Sequence, residues 1–264
     1  MSESESGAKP KVFCIANQKG GVGKTTTTIN LAASLAQRGR KVLLVDLDPQ
    51  GNATMGSGID KSAREVNIYH VLIGEVRLEN ATIQSPEGGY DVLPSNRELS
   101  GAEIDLVDMP EREKQLERAI KGSLKAYDYV LIDCPPTLSL LTLNGLAAAN
   151  GVIIPMQCEY FALEGLSDLV NTIKRVYRNI NPNLSLIGLL RVMYDARVTL
   201  QQQVSAQLED HFKDKVFTTL IPRNVRLAEA PSYGLPGVVY DNSSRGAKAY
   251  LEFGDELIKR VEST

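Results

Sequence analysis

Short apolar runs alternate with longer amphipathic stretches along almost the whole chain, and this alternation constrains the fold more than any other feature. Several runs are apolar at successive positions, which is typical of parallel strands covered on both faces. Strand–helix alternation predicts an α/β fold, with a mostly parallel, doubly wound sheet flanked by helices and joined by right-handed crossovers. The predicted strands are Val12–Ala16, Val42–Asp46, Tyr90–Leu93, Tyr129–Asp133, Val152–Pro155, Leu186–Leu190 and Val216–Ile221.

Helical patterns lie between these runs, and residues 11–264 are expected to form a single domain. A tail at residues 1–10, in which Ser and Glu alternate, is expected to be disordered. The least regular segment, 56–88, is expected to carry short helices over one edge of the sheet. The predicted helices are Thr25–Arg38, Glu111–Lys121, Leu138–Ala149, Leu163–Asn179, Thr199–Phe212 and Gly246–Val261.

The composition narrows the class of protein. The 264 residues include 43% hydrophobic and 23% charged residues, as in an ordinary globular protein. No apolar run approaches the roughly 20 residues of a membrane helix, and the N-terminus has no apolar core of a signal peptide. Cys14, Cys134 and Cys158 stand in apolar surroundings and are expected to be free thiols. We therefore expect a cytoplasmic protein.

The first predicted strand leads into the glycine-rich segment Asn17-Gln-Lys-Gly-Gly-Val-Gly-Lys-Thr-Thr26, and a helix follows. A strand, a glycine-rich turn and a helix N-terminus together present backbone N–H groups and a positive dipole end to an anion. Lys24 is expected to neutralise the β and γ phosphate oxygens, and the Thr25 hydroxyl to bind Mg²⁺. The residues expected to bind the nucleotide here are Gly20, Gly21, Val22, Gly23, Lys24, Thr25 and Thr26.

This segment departs from the ordinary P-loop, because Gln18 replaces the first glycine and a second lysine, Lys19, lies five residues before Lys24. The pattern K-G-G-x-G-K-T-T is the deviant Walker A motif. From Ala16 to the C-terminal helix, the chain resembles the ParA/Soj family of chromosome-partitioning ATPases. The resemblance implies an ATP-sandwich homodimer in which Lys19 binds ATP and reaches the partner's phosphates. It also implies slow hydrolysis of ATP to ADP and phosphate, non-specific DNA and a ParB-type partner, and a nucleoid-associated location.

Two aspartates are expected to complete the site. Asp133 ends the strand Tyr129–Asp133, which is the Walker B arrangement and places a carboxylate beside Mg²⁺. Asp48 lies in Asp-Leu-Asp-Pro-Gln-Gly-Asn after the second strand, and the resemblance gives it the role of positioning the attacking water and the metal. Asp46 is interpreted as a structural neighbour. The predicted catalytic residues are therefore Lys19, Lys24 and Asp48, and the predicted metal ligands are Thr25, Asp48 and Asp133.

Further roles come from the resemblance. Pro222 and Asn224 match the family positions that border the adenine, and Arg197 and Arg226 match positions that hold non-specific DNA. Residues 191–250 contain eight basic and six acidic side chains, and the whole chain has a formal net charge of −3. That balance predicts no general attraction to nucleic acid, but a dimer doubles every local basic group. Three more residues are expected to extend the surface: Arg223, Arg245 and Lys248.

Two other functions remain open from the sequence. A MinD-like ATPase attaches to membranes through a basic amphipathic helix, whereas Gly246–Val261 has an apolar face opposite a near-neutral one. That pattern predicts a packing helix and no membrane partner. Other cargo-positioning ATPases that do not act on DNA belong to this first alternative. The second alternative is an ATP-dependent metabolic ligase, which would use the same phosphate loop. Glu159 is expected to face the same cleft, without an assigned role.

Overall fold

The computed structural model describes residues 9–63, 65–121, 123, 126–160 and 162–262, so residues 1–8 of the predicted tail lie outside it. Its strands are β1 (Lys11–Ile15), β2 (Val42–Asp46), β3 (Ile83–Gln84), β4 (Asp91–Leu93), β5 (Tyr129–Asp133), β6 (Gly151–Met156), β7 (Ser185–Tyr194) and β8 (Val216–Pro222). They form one eight-stranded sheet in the order β3-β4-β2-β5-β1-β6-β7-β8. Every neighbouring pair is parallel except β3 with β4. The predicted fold class is confirmed.

Helices cover both faces of the sheet: α1 (Lys24–Gln37), α2 (Asn52–Gly56), α3 (Ile68–Leu72), α4 (Leu78–Ala81), α5 (Leu99–Asp105), α6 (Gln115–Ile120), α7 (Leu140–Ala148), α8 (Ala162–Asn179), α9 (Thr199–Phe212), α10 (Val225–Glu229), α11 (Gly237–Tyr240) and α12 (Arg245–Glu262). The long predicted helices are confirmed to within two residues. The helix predicted over 111–121 begins as a 3₁₀ turn at Arg112–Lys114 and becomes α-helical at Gln115. The short elements β3, α2, α5, α10 and α11 are not among the predictions.

Each face of the sheet carries its own hydrophobic cluster, because successive side chains of a strand point to opposite faces. Cys14 belongs to the cluster that packs under α6, α7, α8 and α9. Phe13 and Ile15 belong to the cluster under α1 and α12. This burial on both sides explains why the strands are apolar at successive positions.

The C-terminal helix α12 packs on α1 and on the edge strand β8. Its Glu256 carboxylate accepts the backbone N–H groups of Thr218 and Thr219 at 2.8 and 2.9 Å, where the β7–β8 register is interrupted. The Arg260 guanidinium lies 4.0 Å from the centroid of the Phe217 ring. The charges on α12 therefore hold the sheet edge in addition to facing solvent. The buried side of α12 consists of Gly246, Ala247, Ala249, Tyr250, Phe253, Gly254 and Leu257.

The strand order brings the functional loops to one edge of the sheet. β1 lies between β5 and β6, where the direction of winding reverses, and ligands of open α/β sheets bind at such a switch point. Asp133 is in register with Ile15 on one side and with Asp46 on the other. The ends of β1, β2, β5 and β6 therefore meet at one crevice.

Candidate active site

The glycine-rich loop joins β1 to α1 at this crevice. Gly21 and Gly23 have φ values of +73° and +77°, which residues with a Cβ rarely adopt. A Cβ at Gly20 or Gly21 would meet no protein atom within 4 Å, so the space in front of the loop is open. Gly23 is the N-cap of α1 and supplies no side-chain hydrogen bond. The first N–H groups of α1 are therefore left for an anion.

The two lysines of the loop differ in their surroundings. Lys24 is only 7% exposed, and its Nζ donates to the backbone oxygen of Lys19 at 3.2 Å. Burial lowers the pKa of Lys24, while the carboxylates of Asp133 and Asp48 act in the opposite direction. The Lys19 side chain is about half exposed and its Nζ forms an ion pair with Glu159, on the loop after β6. Lys24 thus lies in the site of its own chain, and Lys19 lies at its rim.

Asp133, like Asp46, is fully buried at the crevice. Its Oδ2 accepts the Thr25 hydroxyl at 2.7 Å, and its Oδ1 accepts the Thr28 hydroxyl at 2.9 Å. Burial, followed by the nearby carboxylate of Asp46, raises the pKa of Asp133 to about 7. The structure therefore brings together Thr25 and Asp133, two of the predicted metal ligands. Sequence reasoning did not predict Thr28, although its position one helical turn after Thr25 places it on the same face of α1.

These oxygen donors fit a Mg²⁺ ion whose coordination is completed by phosphate. Among the residues that the structure describes, no group of three or more His, Cys, Asp or Glu could hold a metal. Mg²⁺ usually takes one or two carboxylates together with substrate phosphates and water. Thr25 and Asp133 would hold the ion, which neutralises charge on the phosphate oxygens when bound.

Asp46 and Asp48 lie two residues apart in contrasting environments. Asp46 is fully buried, and its Oδ2 accepts the N–H and the hydroxyl of Thr54, each at 2.7 Å. Its Oδ1 accepts the Asp48 N–H at 3.2 Å, and burial raises the pKa of Asp46 to about 6. Asp48 is partly exposed, and its Oδ1 accepts the N–H of Gln50 at 2.9 Å. Asp46 therefore holds the loop that carries Asp48, in agreement with its interpretation as a structural neighbour.

The loop after β4 supports the Asp48 loop from the other side. Ser95 Oγ donates to the backbone oxygen of Asp48 at 2.8 Å, and the Ser95 N–H donates to Thr54 Oγ1 at 2.9 Å. Gly51 has a φ of +61°, and a Cβ there would lie 2.6 Å from the Ser95 oxygen. Sequence reasoning missed Ser95 and Thr54. Only the adjacency of β2 and β4 brings Ser95 to this loop, and no sequence signal marks it.

A cavity of about 250 Å³ adjoins the phosphate loop. Pro222 and Asn224, the residues predicted to border adenine, line it together with Gly23 and Thr26. Asn224 Oδ1 also accepts two backbone N–H groups at the start of α10, a capping role that the prediction did not include. The other lining side chains are mostly apolar, as a nucleobase site requires: Val192, Met193, Arg223, Ile221, Leu227, Ala228 and Tyr250.

One amide side chain links the phosphate loop to this cavity. Gln157 Nε2, on the loop after β6, donates to the Gly21 oxygen at 3.2 Å and lies 2.8 Å from Met193 Sδ. Met193 lines the cavity and has a φ of +52°, an uncommon value for a residue with a side chain. Gln157 is another residue that sequence reasoning missed.

The five residues predicted to contact DNA lie beyond the ends of β7 and β8. Arg245 and Lys248, on the first two turns of α12, line one groove together with Ala196. Arg197 follows Ala196 in the chain, and its side chain is 90% exposed. Arg223 is also exposed, directly after β8.

The two arginines that match the family positions are both engaged in ion pairs. Arg197 Nε and Nη2 lie 2.9 and 2.7 Å from the two carboxylate oxygens of Asp195. Arg226 lies 3.0 Å from Glu229 and 3.4 Å from Asp241. The predicted surface is therefore exposed, but two of its positive charges are compensated by neighbouring carboxylates.

The family is decided by comparison with known proteins. The family model described as an AAA domain matches residues 10–186. The sporulation initiation inhibitor protein Soj of Bacillus subtilis is 50% identical over 247 residues, which cover 94% of this chain and 98% of that protein. The chain belongs to the ParA/Soj family of chromosome-partitioning ATPases. Another member, the chromosome partitioning protein ParA of Caulobacter vibrioides, is 48% identical over 253 residues, covering 95% and 94% of the two chains.

A solved structure with a similar fold supports the predicted architecture. It is described as cobyrinic acid a,c-diamide synthase from Mycobacterium smegmatis with bound ADP and magnesium. Its TM-score is 0.85 at 40% identity, and the match covers 96% of each chain. A second structure of that protein holds an ATP analogue and magnesium. The family and this likeness confirm the predicted enzyme class, an ATPase, and support ATP and Mg²⁺ as its cofactors.

Proposed function

We propose that this protein is a nucleotide-controlled partitioning switch, which forms an ATP-sandwich homodimer, holds DNA non-specifically in that state and acts with a ParB-type partner. The observation that carries the proposal is the placement of Lys19. Its charge lies at the rim of the crevice, half exposed, while Lys24 already occupies the site of the same chain. A second lysine at the rim is suited to the phosphates of an opposing subunit.

The residues of the crevice supply the parts that phosphoryl transfer needs. Such reactions depend on positioning and charge neutralisation more than on covalent chemistry. Lys24 and the N–H groups of α1 bind the phosphates, and Thr25 and Asp133 hold Mg²⁺. Asp48 orients the attacking water, from a loop fixed by Asp46. Pro222 and Asn224 border the adenine in the adjoining cavity.

The DNA part of the proposal is supported by the shared position of the basic residues. Arg197, Arg223, Arg245 and Lys248 are exposed around the ends of β7 and β8. Arg226 lies on α10, which follows β8 directly. Phosphate contacts of this kind are nearly independent of base sequence and strongly dependent on salt. The cargo of such a switch is a chromosome or a plasmid, at the nucleoid in the cytoplasm.

The two alternatives receive less support. No helix within the described ranges is long and apolar enough to cross a membrane, and the apolar face of α12 is buried against α1 and β8. A MinD-like membrane attachment through α12 would require that face to leave the core. The ligase alternative is favoured only by the name of the Mycobacterium smegmatis protein, at 40% identity. The relatives whose names refer to chromosome partitioning are 48 to 51% identical.

The proposal is tested by the molar mass of the full chain in solution with ATP, with ADP and without nucleotide. We expect a dimer with ATP and a monomer in the other two states. Lys19→Ala is expected to remain a monomer with ATP while still binding nucleotide. Lys41→Ala removes the same charge at the opposite end of β2 and serves as the matched control. An ATP-bound dimer of Lys19→Ala, or no dimer of the unaltered chain, contradicts the proposal.

A further inference from the structure

We propose that Asp195 competes with DNA phosphate for the Arg197 guanidinium, and that this competition confines DNA binding to the ATP-bound dimer. The inference rests on the proposed DNA-binding function. Asp195 lies in the loop between β7 and α9. It weakens DNA binding, whereas the basic residues of the same surface strengthen it.

The geometry of the loop makes Asp195 a direct rival of phosphate. Arg197 Nε and Nη2 reach the two carboxylate oxygens at 2.9 and 2.7 Å, a bidentate pair. A phosphate takes the same two N–H groups in the same fork geometry. The guanidinium can therefore bind one of these anions or the other through that edge.

The Asp195 carboxylate is held in place by the loop, whereas the Arg197 side chain is exposed to solvent and can change partner. The Asp195 N–H donates to Gln201 Oε1 at 2.7 Å, and Asp195 Oδ1 accepts the Arg197 N–H at 3.0 Å. The Asp195 side chain is 32% exposed, against 90% for Arg197. Arg197, with Arg223 nearby, holds the pKa of Asp195 well below its usual range.

The same arrangement occurs a second time on this surface. Arg226 lies 3.0 Å from Glu229 and 3.4 Å from Asp241, so its charge is also compensated within the chain. A single protomer consequently offers DNA two arginines whose charges are already neutralised. Each exposed pair is weak and can be exchanged. In a dimer, each arginine occurs twice and can exchange its carboxylate for a phosphate of the same DNA duplex. The contributions of the two protomers to DNA affinity then multiply.

Removal of the competing charge should loosen the dependence on ATP. Asp195→Asn keeps the size of the side chain and frees the guanidinium. We expect the ATP-bound variant to hold an unrelated DNA duplex about three- to tenfold more tightly, given the weak energy of an exposed pair counted twice. Because Arg197 then displaces counterions without releasing Asp195, the slope of log affinity against log salt should steepen by about one per protomer. Retention at low salt should also appear with ADP.

The experiment is a titration of a fluorescent duplex with the full chain, in ATP and in ADP, between about 50 and 200 mM salt. Asp210→Asn, an exposed residue of α9, removes the same charge and is the control. The gain should vanish in Asp195→Asn with Arg197→Ala. Glu229→Gln tests the second pair independently and should tighten binding by less, because Asp241 still lies 3.4 Å from Arg226.

The outcomes separate the inference from the function on which it rests. If the unaltered chain retains no DNA with ATP, the DNA-binding proposal fails. If it retains DNA, and Asp195→Asn binds no more tightly than Asp210→Asn, the competition is refuted. Weaker binding by Asp195→Asn also overturns it, because Asp195 would then position Arg197 for the phosphate.

Discussion

The crevice at the ends of β1, β2 and β5 and the basic surface beyond β7 and β8 both gather charged residues, but they hold them differently. In the crevice, Asp46 and Asp133 are fully buried and each accepts at least two hydrogen bonds. On the basic surface, Arg197 is 90% exposed and bonded to a carboxylate two residues away. The first arrangement is fixed by the sheet, and the second can be exchanged. This difference suits the proposed switch, in which the catalytic site stays fixed and DNA binding is reversible.

The largest effect is expected in the crevice, from Lys24→Ala. The buried ammonium lies beside two carboxylates, and its loss removes charge neutralisation that a water molecule cannot replace. We expect hydrolysis to fall by about 10² to 10³-fold, as when one preorganised donor is lost from other active sites. Phosphate release is the measurement, and Lys41→Ala should leave it unchanged. A fall of less than about tenfold would show that the buried charge of Lys24 contributes no more than an exposed charge on the basic surface.

Burial in the crevice also predicts how stability depends on pH. The folded-state pKa values of Asp133 and Asp46 are raised to about 7 and about 6. These two groups therefore make the folded chain bind more protons than the unfolded chain between about pH 5 and pH 7, above the range in which carboxyls with a lowered pKa, such as Glu256 and Glu262, titrate. The free energy of unfolding without nucleotide should therefore decrease as the pH rises through that window.

Denaturant titrations at several pH values measure this slope, and Asp133→Asn should reduce it. Each unit of pKa shift corresponds to about 1.4 kcal/mol. Exposed Asp210→Asn should not alter the slope. A free energy of unfolding that rises with pH across this window is the result that would refute the account of buried, destabilised carboxylates.

The support of the Asp48 loop is expected to give a smaller effect. Thr54→Val removes a hydroxyl that donates to Asp46 and accepts from Ser95. Leaving such buried partners unpaired costs about 1 to 3 kcal/mol of stability. Since Asp48 then loses its fixed position, kcat should fall while KM changes little. Thr82→Val, which removes a hydroxyl bonded to the Leu78 oxygen away from the crevice, is the control. A lower stability with an unchanged kcat would show that Asp46 and Thr54 do not contribute to catalysis.

The smallest effect is expected at the rim of the crevice, where Lys19 is half exposed. Glu159→Gln releases Lys19 from its ion pair, and half-exposed pairs contribute at most about 1 kcal/mol. Dimerisation should therefore require a few-fold less ATP. Glu164→Gln, at an exposed position of α8, should have no effect. A need for more ATP would show that Glu159 assists Lys19 in the dimer.

The sequence predicted the crevice better than its supports. Successive apolar residues marked the buried strands, and Asp133 was evident because a charge rarely ends such a strand without a function. The loop glycines and Lys24 occupy one continuous segment, so their spacing alone predicts them as a phosphate loop. Ser95 and Gln157 were not predictable, since the adjacency of β4 to β2 and of β6 to β1 brings them in. No local sequence pattern predicts the ion pair between Asp195 and Arg197 either.

The central claim is that ATP creates the DNA-binding form, and retention of an unrelated duplex tests it most directly. The full chain would be measured with ATP, with ADP and without nucleotide, at two salt concentrations. Retention with ATP that weakens steeply at the higher salt is the predicted result. Equal retention in all three states, or none in any state while ATP is still hydrolysed, would contradict the account and direct the search to a membrane, a protein cargo or a small-molecule substrate.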